Sequence, residues 1–223
     1  MNYFTKRKIL HFFFPNRCPI CSDILNCNDK FCEKCAENIN YYEGRFNINS
    51  AASFNAVYVY NDNISPAIFL LKDGIGGNAD YALGGELAEL LMKKGVNADL
   101  IIPVPMTADT VRKRGYNQSI LIGRQLERIM KIPLHTDIVS KIRSTSAQKT
   151  LSHEERLVNL KNAFEVIKPE LIHEKSVILT DDVCTTGSTL AEITSVLIKS
   201  GAKEVHCAVL CKTPLKGISK NPF

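Results

Sequence analysis

The residues best suited to chemistry lie in one run, Val177–Thr189. Its apolar start predicts a buried strand, and Asp181 and Asp182 follow where that strand should end. In open α/β folds the carboxyl ends of parallel strands form the edge that binds ligands. Carboxylates at this edge can accept hydrogen bonds from sugar hydroxyls. The residues that follow offer hydroxyls, consecutive backbone N–H groups and a helix N-terminus to a phosphate: Thr185, Thr186, Gly187, Ser188 and Thr189. One loop can therefore hold both ends of a 5-phosphoribose; the alternative is an ordinary strand-to-helix turn with a Ser/Thr cap.

Near the N-terminus, four cysteines form two pairs, Cys18-x-x-Cys21 and Cys32-x-x-Cys35. Two such pairs can complete the tetrahedral thiolate coordination of one zinc ion. A segment of roughly forty residues cannot build a sufficient core alone, so metal binding would supply its folding free energy. Cys27 lies between the pairs and is an alternative ligand. A disulfide framework is disfavoured because the cysteines here are odd in number and no secretory signal is present.

The composition is that of a globular protein. A chain of 223 residues with 45% hydrophobic content can bury a full α/β core and carry a small appendage. Its formal net charge is +5, but nine Lys or Arg and only three acids lie between Ile101 and Lys149. This excess predicts a polyanionic ligand, the alternative being a solvated basic helix face. The apolar stretch Ile9–Phe14 is too short for a signal peptide or a bilayer span, so we expect a cytoplasmic protein.

Strands and helices must alternate to position these residues. Strands are predicted at Asn55–Tyr60, Asp99–Val104, Val177–Val183 and Glu204–Cys211. Helices are predicted at Ile64–Lys72, Asp80–Lys94, Gln118–Met130 and Ser188–Lys199. The order predicts an α/β fold with a doubly wound parallel sheet at residues 51–223, after a zinc module and linker at residues 1–50. Arg112–Asn117 is predicted as a basic loop and Ile142–Leu160 as a mobile polar loop.

The run Val177–Thr189 resembles the motif that binds phosphoribosyl pyrophosphate (PRPP) in type I phosphoribosyltransferases. That motif is an apolar strand, two acids, two apolar residues and a Thr/Gly-rich turn. Nearly the whole chain resembles the competence protein F (ComF) family, phosphoribosyltransferase-like proteins with an N-terminal zinc module. The marks of the resemblance, in order, are Phe14-Pro15, Lys72, Ile102–Pro105, Arg114–Ser119, Arg143-x-Thr145-x-x-Gln148, Arg156-x-x-Asn159, Phe164 and Asp181–Thr189.

The resemblance implies the fold of type I phosphoribosyltransferases and a role for each motif. Pro105–Asn117 corresponds to the pyrophosphate loop and Arg143–Asn159 to the flexible loop that closes over PRPP. Asp181 and Asp182 would be the catalytic carboxylates that hold the ribose hydroxyls, and Thr185–Thr189 would anchor the 5-phosphate. The cations that would neutralise pyrophosphate, together with magnesium, are Arg112 or Arg114 and Arg143 or Lys149.

Two main functions stay open at this stage. One is a PRPP-binding factor associated with DNA uptake in natural transformation. The other is a magnesium-dependent phosphoribosyltransferase acting on a small nitrogenous acceptor, in nucleotide salvage or amido transfer; the sequence specifies no base pocket that would decide between them. A weaker third is an adaptor role for the zinc module. The partners expected are PRPP or a related phosphoribosyl ligand, single-stranded DNA at Arg112, Lys113 and Arg114, and a competence helicase. A peripheral position at the inner face of the cell membrane is an alternative to a free cytoplasmic one.

Overall fold

A computed structural model describes residues 3–74, 78–143 and 162–214 of the protein. The strands are β1 (Ser53–Val59), β2 (Leu100–Pro103), β3 (Val139–Lys141), β4 (Phe164–Val166), β5 (Ser176–Cys184) and β6 (Glu204–Lys212). The helices are α1 (Tyr3–Phe13), α2 (Glu33–Ala36), α3 (Ser65–Asp73), α4 (Ala79–Lys93), α5 (Ala108–Arg114), α6 (Gln118–Met130) and α7 (Ser188–Lys199), with a 3-10 turn at Pro169–Leu171.

Four strands form a parallel sheet in the order β1-β6-β5-β2. The strands read as continuous apolar runs because helices cover both faces. Val57, Ile101 and Ile178 point into one core cluster with residues of α3, α4 and α6. Leu179 and Val209 point into a second cluster with residues of α7. The predicted doubly wound α/β fold is confirmed, and the predicted elements agree with the observed ones to within one or two residues.

Helix α6 buries polar as well as apolar side chains. Leu126 is fully buried, and Leu121 and Ile129 are half-buried against the same core cluster. Three polar residues are also buried: Gln118, Ser119 and Gln125. Each one hydrogen-bonds a carboxylate of a neighbouring element. Polar side chains are buried at low cost when they have such partners.

The predicted basic loop Arg112–Asn117 is wrong in its first half, because Arg112, Lys113 and Arg114 form the last turn of α5. Thr107 caps this helix, its hydroxyl accepting a hydrogen bond from the Thr110 amide at 3.3 Å. Gly115 ends it at a φ of +83°. Three cations at a helix C-terminus interact favourably with the helix dipole. A helix this short with no buried residue has no apolar stripe that sequence reading could detect.

The small antiparallel pair β3 and β4 was not predicted. Ser140 pairs with Glu165 in this hairpin, and the strands flank residues 144–161. Those residues, which include most of the predicted mobile loop with Gln148, Lys149, Arg156 and Asn159, lie outside the described part of the chain. The hairpin strands were missed because three residues are too few for an alternation pattern to show.

The N-terminal module packs on helix α4. Lys30 Nζ contacts carboxylate oxygens of Glu86 and Glu89 at 2.8 and 2.6 Å. The guanidinium of Arg7 lies 3.6 Å from the Tyr81 ring centroid. Asn78, just before α4, donates to the carbonyl oxygen of Asp29 at 3.0 Å. Within the described ranges, every helix is too short or too polar to pass through a bilayer.

The end of the predicted zinc module and linker, residues 37–50, is packed into the larger domain. The Tyr42 amide donates to the Val57 carbonyl at 2.8 Å, so the segment pairs with the edge strand β1. Ile39 lies in the first core cluster, while Ile48 lies in the second and Phe46 packs against it. The division of the chain at residue 50 stays a prediction.

Candidate functional site

Asp181 and Asp182 lie near the C-terminal end of strand β5, just past the last residue that pairs with the neighbouring strand β2. The hydroxyl of Ser119 donates to Asp181 Oδ1 at 2.8 Å. Asp182 Oδ2 lies 3.0 Å from Lys72 Nζ and accepts from Gln118 Nε2 at 3.4 Å. The structure therefore brings both predicted carboxylates together and gives each its own polar partner.

The two carboxylates have different surroundings. Burial, and next the negative charge of Asp182, raise the pKa of Asp181 to about 7, against the lowering effect of the Ser119 hydrogen bond. Asp182 forms an ion pair with Lys72.

Asn117 fixes the donors of helix α6 against the strand ends. Its side chain caps the helix by accepting a hydrogen bond from the Ser119 amide at 2.9 Å. The same side chain donates to the Val104 carbonyl, just beyond β2, at 2.9 Å. Since Asn117 is buried, these bonds hold Gln118 and Ser119 in place beside the acids.

Lys72 reaches Asp182 from the C-terminal end of α3. That helix ends at Gly74, where φ is +65° and a Cβ atom would lie 2.2 Å from the Tyr116 ring. The Tyr116 hydroxyl donates to the Leu71 carbonyl at 3.1 Å. Tyr116 therefore packs directly against the end of α3 and fixes where Lys72 begins.

The Thr185–Thr189 loop turns sharply into helix α7. Gly187 precedes the helix with a φ of +80°, and a Cβ atom there would lie 2.5 Å from Ile48 Cδ1. Only glycine fits this conformation and this close approach. The Thr186 and Ser188 hydroxyls lie 2.9 Å apart in hydrogen-bond contact.

A cleft of about 320 Å³ is lined by both acids and, from the Thr185–Thr189 loop, by Thr189. Its lining comes from three regions of the chain: Val104, Pro105, Met106, Thr107, Thr110, Gln118 and Ser119; then Lys141 and Phe164; then Asp181, Asp182 and Thr189. Lys141 is half-buried, and burial lowers its pKa while Asp181 opposes that effect. A pocket of this size, lined by two acids, one lysine and several hydroxyl-bearing side chains, suits a polar ligand that bears both hydroxyls and phosphates.

Of the cations expected from the sequence, the three that the structure describes are more exposed than Lys72 and Lys141. Arg112 has a side chain that is 81% exposed and pairs with Asp109 at 3.7 Å. Arg114 donates to Gln118 Oε1 at 3.5 Å, and Gln118 in turn contacts Asp182. Arg143 is exposed, two residues beyond Lys141, and Lys149 lies outside the described residues.

Four site residues were missed as ligands by sequence reasoning: Lys72, Gln118, Ser119 and Lys141. Lys72, Gln118 and Ser119 were noted as marks of the family resemblance, which was the available signal. No sequence signal pointed to Lys141, because it lies in a short strand that contains no recognisable motif.

The four paired cysteines form a separate site. The Sγ atoms of Cys18, Cys21, Cys32 and Cys35 all lie within 4.8 Å of one another, and those of Cys21 and Cys32 are 3.6 Å apart. Sulfurs bound to one zinc at about 2.3 Å lie about 3.8 Å apart in a tetrahedron, so the cluster fits a structural zinc ion. Cys27 is not in this group; its carbonyl accepts hydrogen bonds from Arg7 and Asn16.

Comparison with known families identifies both parts of the chain. Residues 116–221 match the phosphoribosyl transferase domain family, and residues 9–47 match the double zinc ribbon domain family. The match at residues 9–47 contains all four clustered cysteines, which supports structural zinc as their ligand.

Similar proteins were found among curated sequences and solved structures. Competence protein F of Haemophilus influenzae is 32% identical over 92% of this chain and 96% of its own length. DNA utilization protein YhgH of Escherichia coli K12 is 33% identical over 69% of each chain. A purine phosphoribosyltransferase from Pyrococcus horikoshii aligns with a TM-score of 0.38 and 22% identity, covering 62% of this chain and 77% of that one.

Replacing a clustered cysteine should remove the metal. We expect Cys18→Ser or Cys35→Ser to abolish stoichiometric zinc and to unfold the N-terminal module, because metal binding supplies much of its folding free energy. Elemental analysis with limited proteolysis measures both effects. Cys27→Ser is the matched control and should keep its zinc; loss of zinc in this control would mean that the ligand set is different.

The raised pKa of Asp181 predicts a pH-dependent stability. An aspartate with a folded pKa of about 7, against 3.8 unfolded, loses its stabilising contribution as the pH rises through 7. Asp181→Asn removes that loss. The free energy of unfolding of the variant should therefore exceed that of wild type by on the order of 2–4 kcal/mol at pH 8 and should equal it at pH 4.

Denaturant unfolding of the ligand-free protein at both pH values measures this difference. Asp182→Asn is the comparison variant; it removes the second cause of the raised Asp181 pKa but also the ion pair with Lys72, so its gain at pH 8 should be smaller than that of Asp181→Asn. An equal effect of Asp181→Asn at pH 4 and pH 8 would contradict the assignment.

Proposed function

The chain belongs to the competence protein F family, and from this premise we propose that it binds PRPP at Asp181–Thr189 and acts in the uptake of DNA during natural transformation. The observation that carries the proposal is the placement of the paired acids and the end of the Thr185–Thr189 loop in one cleft. A 5-phosphoribose needs hydroxyl acceptors and a phosphate cradle at this spacing, and type I phosphoribosyltransferases use the same motif for PRPP.

Each part of the cleft has a role in this proposal. Asp181 and Asp182 accept hydrogen bonds from the ribose hydroxyls, and the amides and hydroxyls of Thr185–Thr189 bind the 5-phosphate. The pyrophosphate lies toward Thr107 and Lys141, on the other side of the acids. Magnesium, when bound with PRPP, neutralises part of the pyrophosphate charge. Arg112, Arg114, Arg143 and Lys149 stay candidates for the same end of the ligand.

The alternative function is phosphoribosyl transfer to a small nitrogenous acceptor, and the positions of Lys72 and Lys141 favour it. When the bond from the anomeric carbon to pyrophosphate breaks, the leaving group takes the electron pair. Cations beside the cleft stabilise that negative charge. The two acids stabilise the positive character of the ribose. Release of pyrophosphate upon mixing protein, PRPP, magnesium and a panel of bases separates transfer from binding alone.

The DNA-related role rests on relatives and on one basic surface. The similar proteins bear the names competence protein F and DNA utilization protein. Arg112, Lys113 and Arg114 are exposed in the last turn of α5, beside the cleft. A cationic surface of this kind can follow a single-stranded backbone irrespective of its sequence. We place the DNA contact there, with a competence helicase as the partner if the chain itself does not bind DNA.

The membrane-proximal position is supported by helix α1. Phe12, Phe13 and Phe14 are 81%, 69% and 75% exposed, and Ile9 and Leu10 are about half exposed beside them. Exposed apolar side chains next to lysines are typical of helices that lie on an anionic bilayer. The protein would then sit at the inner face of the membrane; sedimentation with anionic vesicles tests this, and no co-sedimentation at low salt would refute it.

Loss of both site carboxylates should weaken PRPP binding. The double variant Asp181→Asn and Asp182→Asn removes the anionic acceptors for the ribose hydroxyls and for magnesium-bound water. Its PRPP affinity should fall at least about tenfold, which corresponds to about 1.4 kcal/mol. Isothermal calorimetry with magnesium measures the affinity. The proposal fails if wild type does not bind PRPP, or if the double variant binds it equally well.

Removing the α5 cations should weaken binding to single-stranded DNA. We expect the triple variant Arg112→Ala, Lys113→Ala, Arg114→Ala to bind less tightly and to show a shallower salt dependence, because fewer counterions are released. Fluorescence anisotropy of a labelled oligonucleotide at several salt concentrations measures both quantities. Base composition should have little effect.

The matched control replaces three exposed lysines at the opposite edge of the sheet, Lys93, Lys94 and Lys199. This control has the same net charge as the triple variant and should bind like wild type. If the two variants weaken equally, binding depends only on net charge; if wild type does not bind at low salt, the role in DNA uptake runs through a protein partner such as the helicase.

A further inference from the structure

A lysine is buried against the Thr185–Thr189 loop without an acidic partner. Lys212 is the last residue of β6, and only 2% of it is exposed. Its Nζ donates to the carbonyl oxygens of Thr185 at 2.6 Å and Thr213 at 2.9 Å. In residues 3–74, 78–143 and 162–214, no carboxylate oxygen lies within 4.0 Å of this nitrogen. The positive charge of Lys212 is therefore solvated by dipoles and neutralised by no side chain among these residues.

An aromatic ring joins Lys212 to the turn of the loop. The Nζ atom lies 4.4 Å from the centroid of Phe46, a cation–π contact. The same ring lies 3.0 Å from where a Cβ atom of Gly187 would be, so it contacts the loop glycine. Lys212 pairs with Cys184 in the β5–β6 register, directly before the loop. The ammonium, the ring and the loop thus form one packed unit.

Charge is distributed unevenly along the cleft. Lys72 and Lys141 lie beside the acids and toward the proposed pyrophosphate end. The Thr185–Thr189 loop itself contributes only amides and hydroxyls. Lys212 is the basic side chain that the described residues place in direct contact with this loop.

A buried cation without a counterion costs folding free energy, and an apolar side chain of similar size would cost less. The cost is offset when an anion binds nearby in the same low-dielectric region. We propose that Lys212 supplies the fixed positive charge of the 5-phosphate subsite and makes that subsite selective for a dianionic phosphate monoester. This inference rests on the proposed PRPP site and makes Lys212 a positioning residue that acts through the loop.

The test compares two ligands that occupy opposite ends of the proposed site. Ribose 5-phosphate probes the loop, and pyrophosphate with magnesium probes the other end. Calorimetry is carried out on the full chain as wild type, Lys212→Met, which removes the charge at similar volume, and Lys212→Arg, which keeps it. Lys203→Met is the control, because Lys203 is an exposed residue just before β6 at the opposite edge of the sheet and its loss changes the net charge equally.

We expect Lys212→Met to bind ribose 5-phosphate at least tenfold more weakly and pyrophosphate within twofold of wild type. Lys212→Arg should recover most of the lost affinity, and Lys203→Met should bind both ligands normally. A general loss in Lys212→Met that affects both ligands, or no recovery with arginine, would mean that Lys212 only holds the loop in shape, and overturns the inference.

Equal ribose 5-phosphate binding by wild type and Lys212→Met also overturns the inference, while PRPP binding by both leaves the proposed function intact. A wild type that binds neither PRPP nor ribose 5-phosphate overturns both proposals. If Lys212→Met does not fold, the test uses the wild type alone and compares its affinity for ribose 5-phosphate with its affinity for ribose 5-sulfate, which bears one negative charge fewer. A preference of tenfold or more for the phosphate supports the inference, and a smaller one refutes it.

Discussion

Two neighbouring carboxylates at the end of a buried strand are the constraint around which the rest of this structure is arranged. Carboxylates that leave bulk water need hydrogen-bond donors or cations, or they do not stay ionised. Three elements supply them here: α3 with Lys72, the start of α6 with Gln118 and Ser119, and the backbone of β5 itself, where the Val183 amide donates to Asp182 Oδ1 at 2.8 Å. The burial of Gln118 and Ser119 at the start of α6 follows from this requirement.

The division of charge between the two acids bears on what the cleft can accept. Two full negative charges at its floor would repel a ligand with several phosphates. Lys72 compensates Asp182, and burial keeps Asp181 near its point of half-ionisation at neutral pH. The acid pair is therefore less negative than two ionised carboxylates without a cation beside them. A polyanion can enter the cleft, and hydroxyls still find two oxygen acceptors.

Sequence reading located the elements with long apolar runs and the motif at their end. The strand around Val177–Val183 and the helices at Gln118–Met130 and Ser188–Lys199 could be predicted. Burial on one or both sides of these elements requires a regular spacing of apolar residues, which is visible in the sequence. The same reading missed α5 and the β3–β4 hairpin, which are short and bury little. It assigned the phosphate-neutralising role to Arg112, Arg114, Arg143 and Lys149, and it gave no role to Lys72, which pairs with Asp182, or to Lys141, which lines the cleft. Those two lysines are brought there by packing between distant segments, such as that of Tyr116 on Gly74, which local pattern does not encode.

The N-terminal module contacts the larger domain at two separate places. Asn78, just before α4, binds backbone carbonyls of the module at Asp29 and Lys30. After the module, the chain pairs with β1 and then places Phe46 and Ile48 against Gly187. Because packed interiors transmit displacements, the segment that follows the zinc ribbon supports the conformation of the Thr185–Thr189 loop, and the module is not an independent appendage.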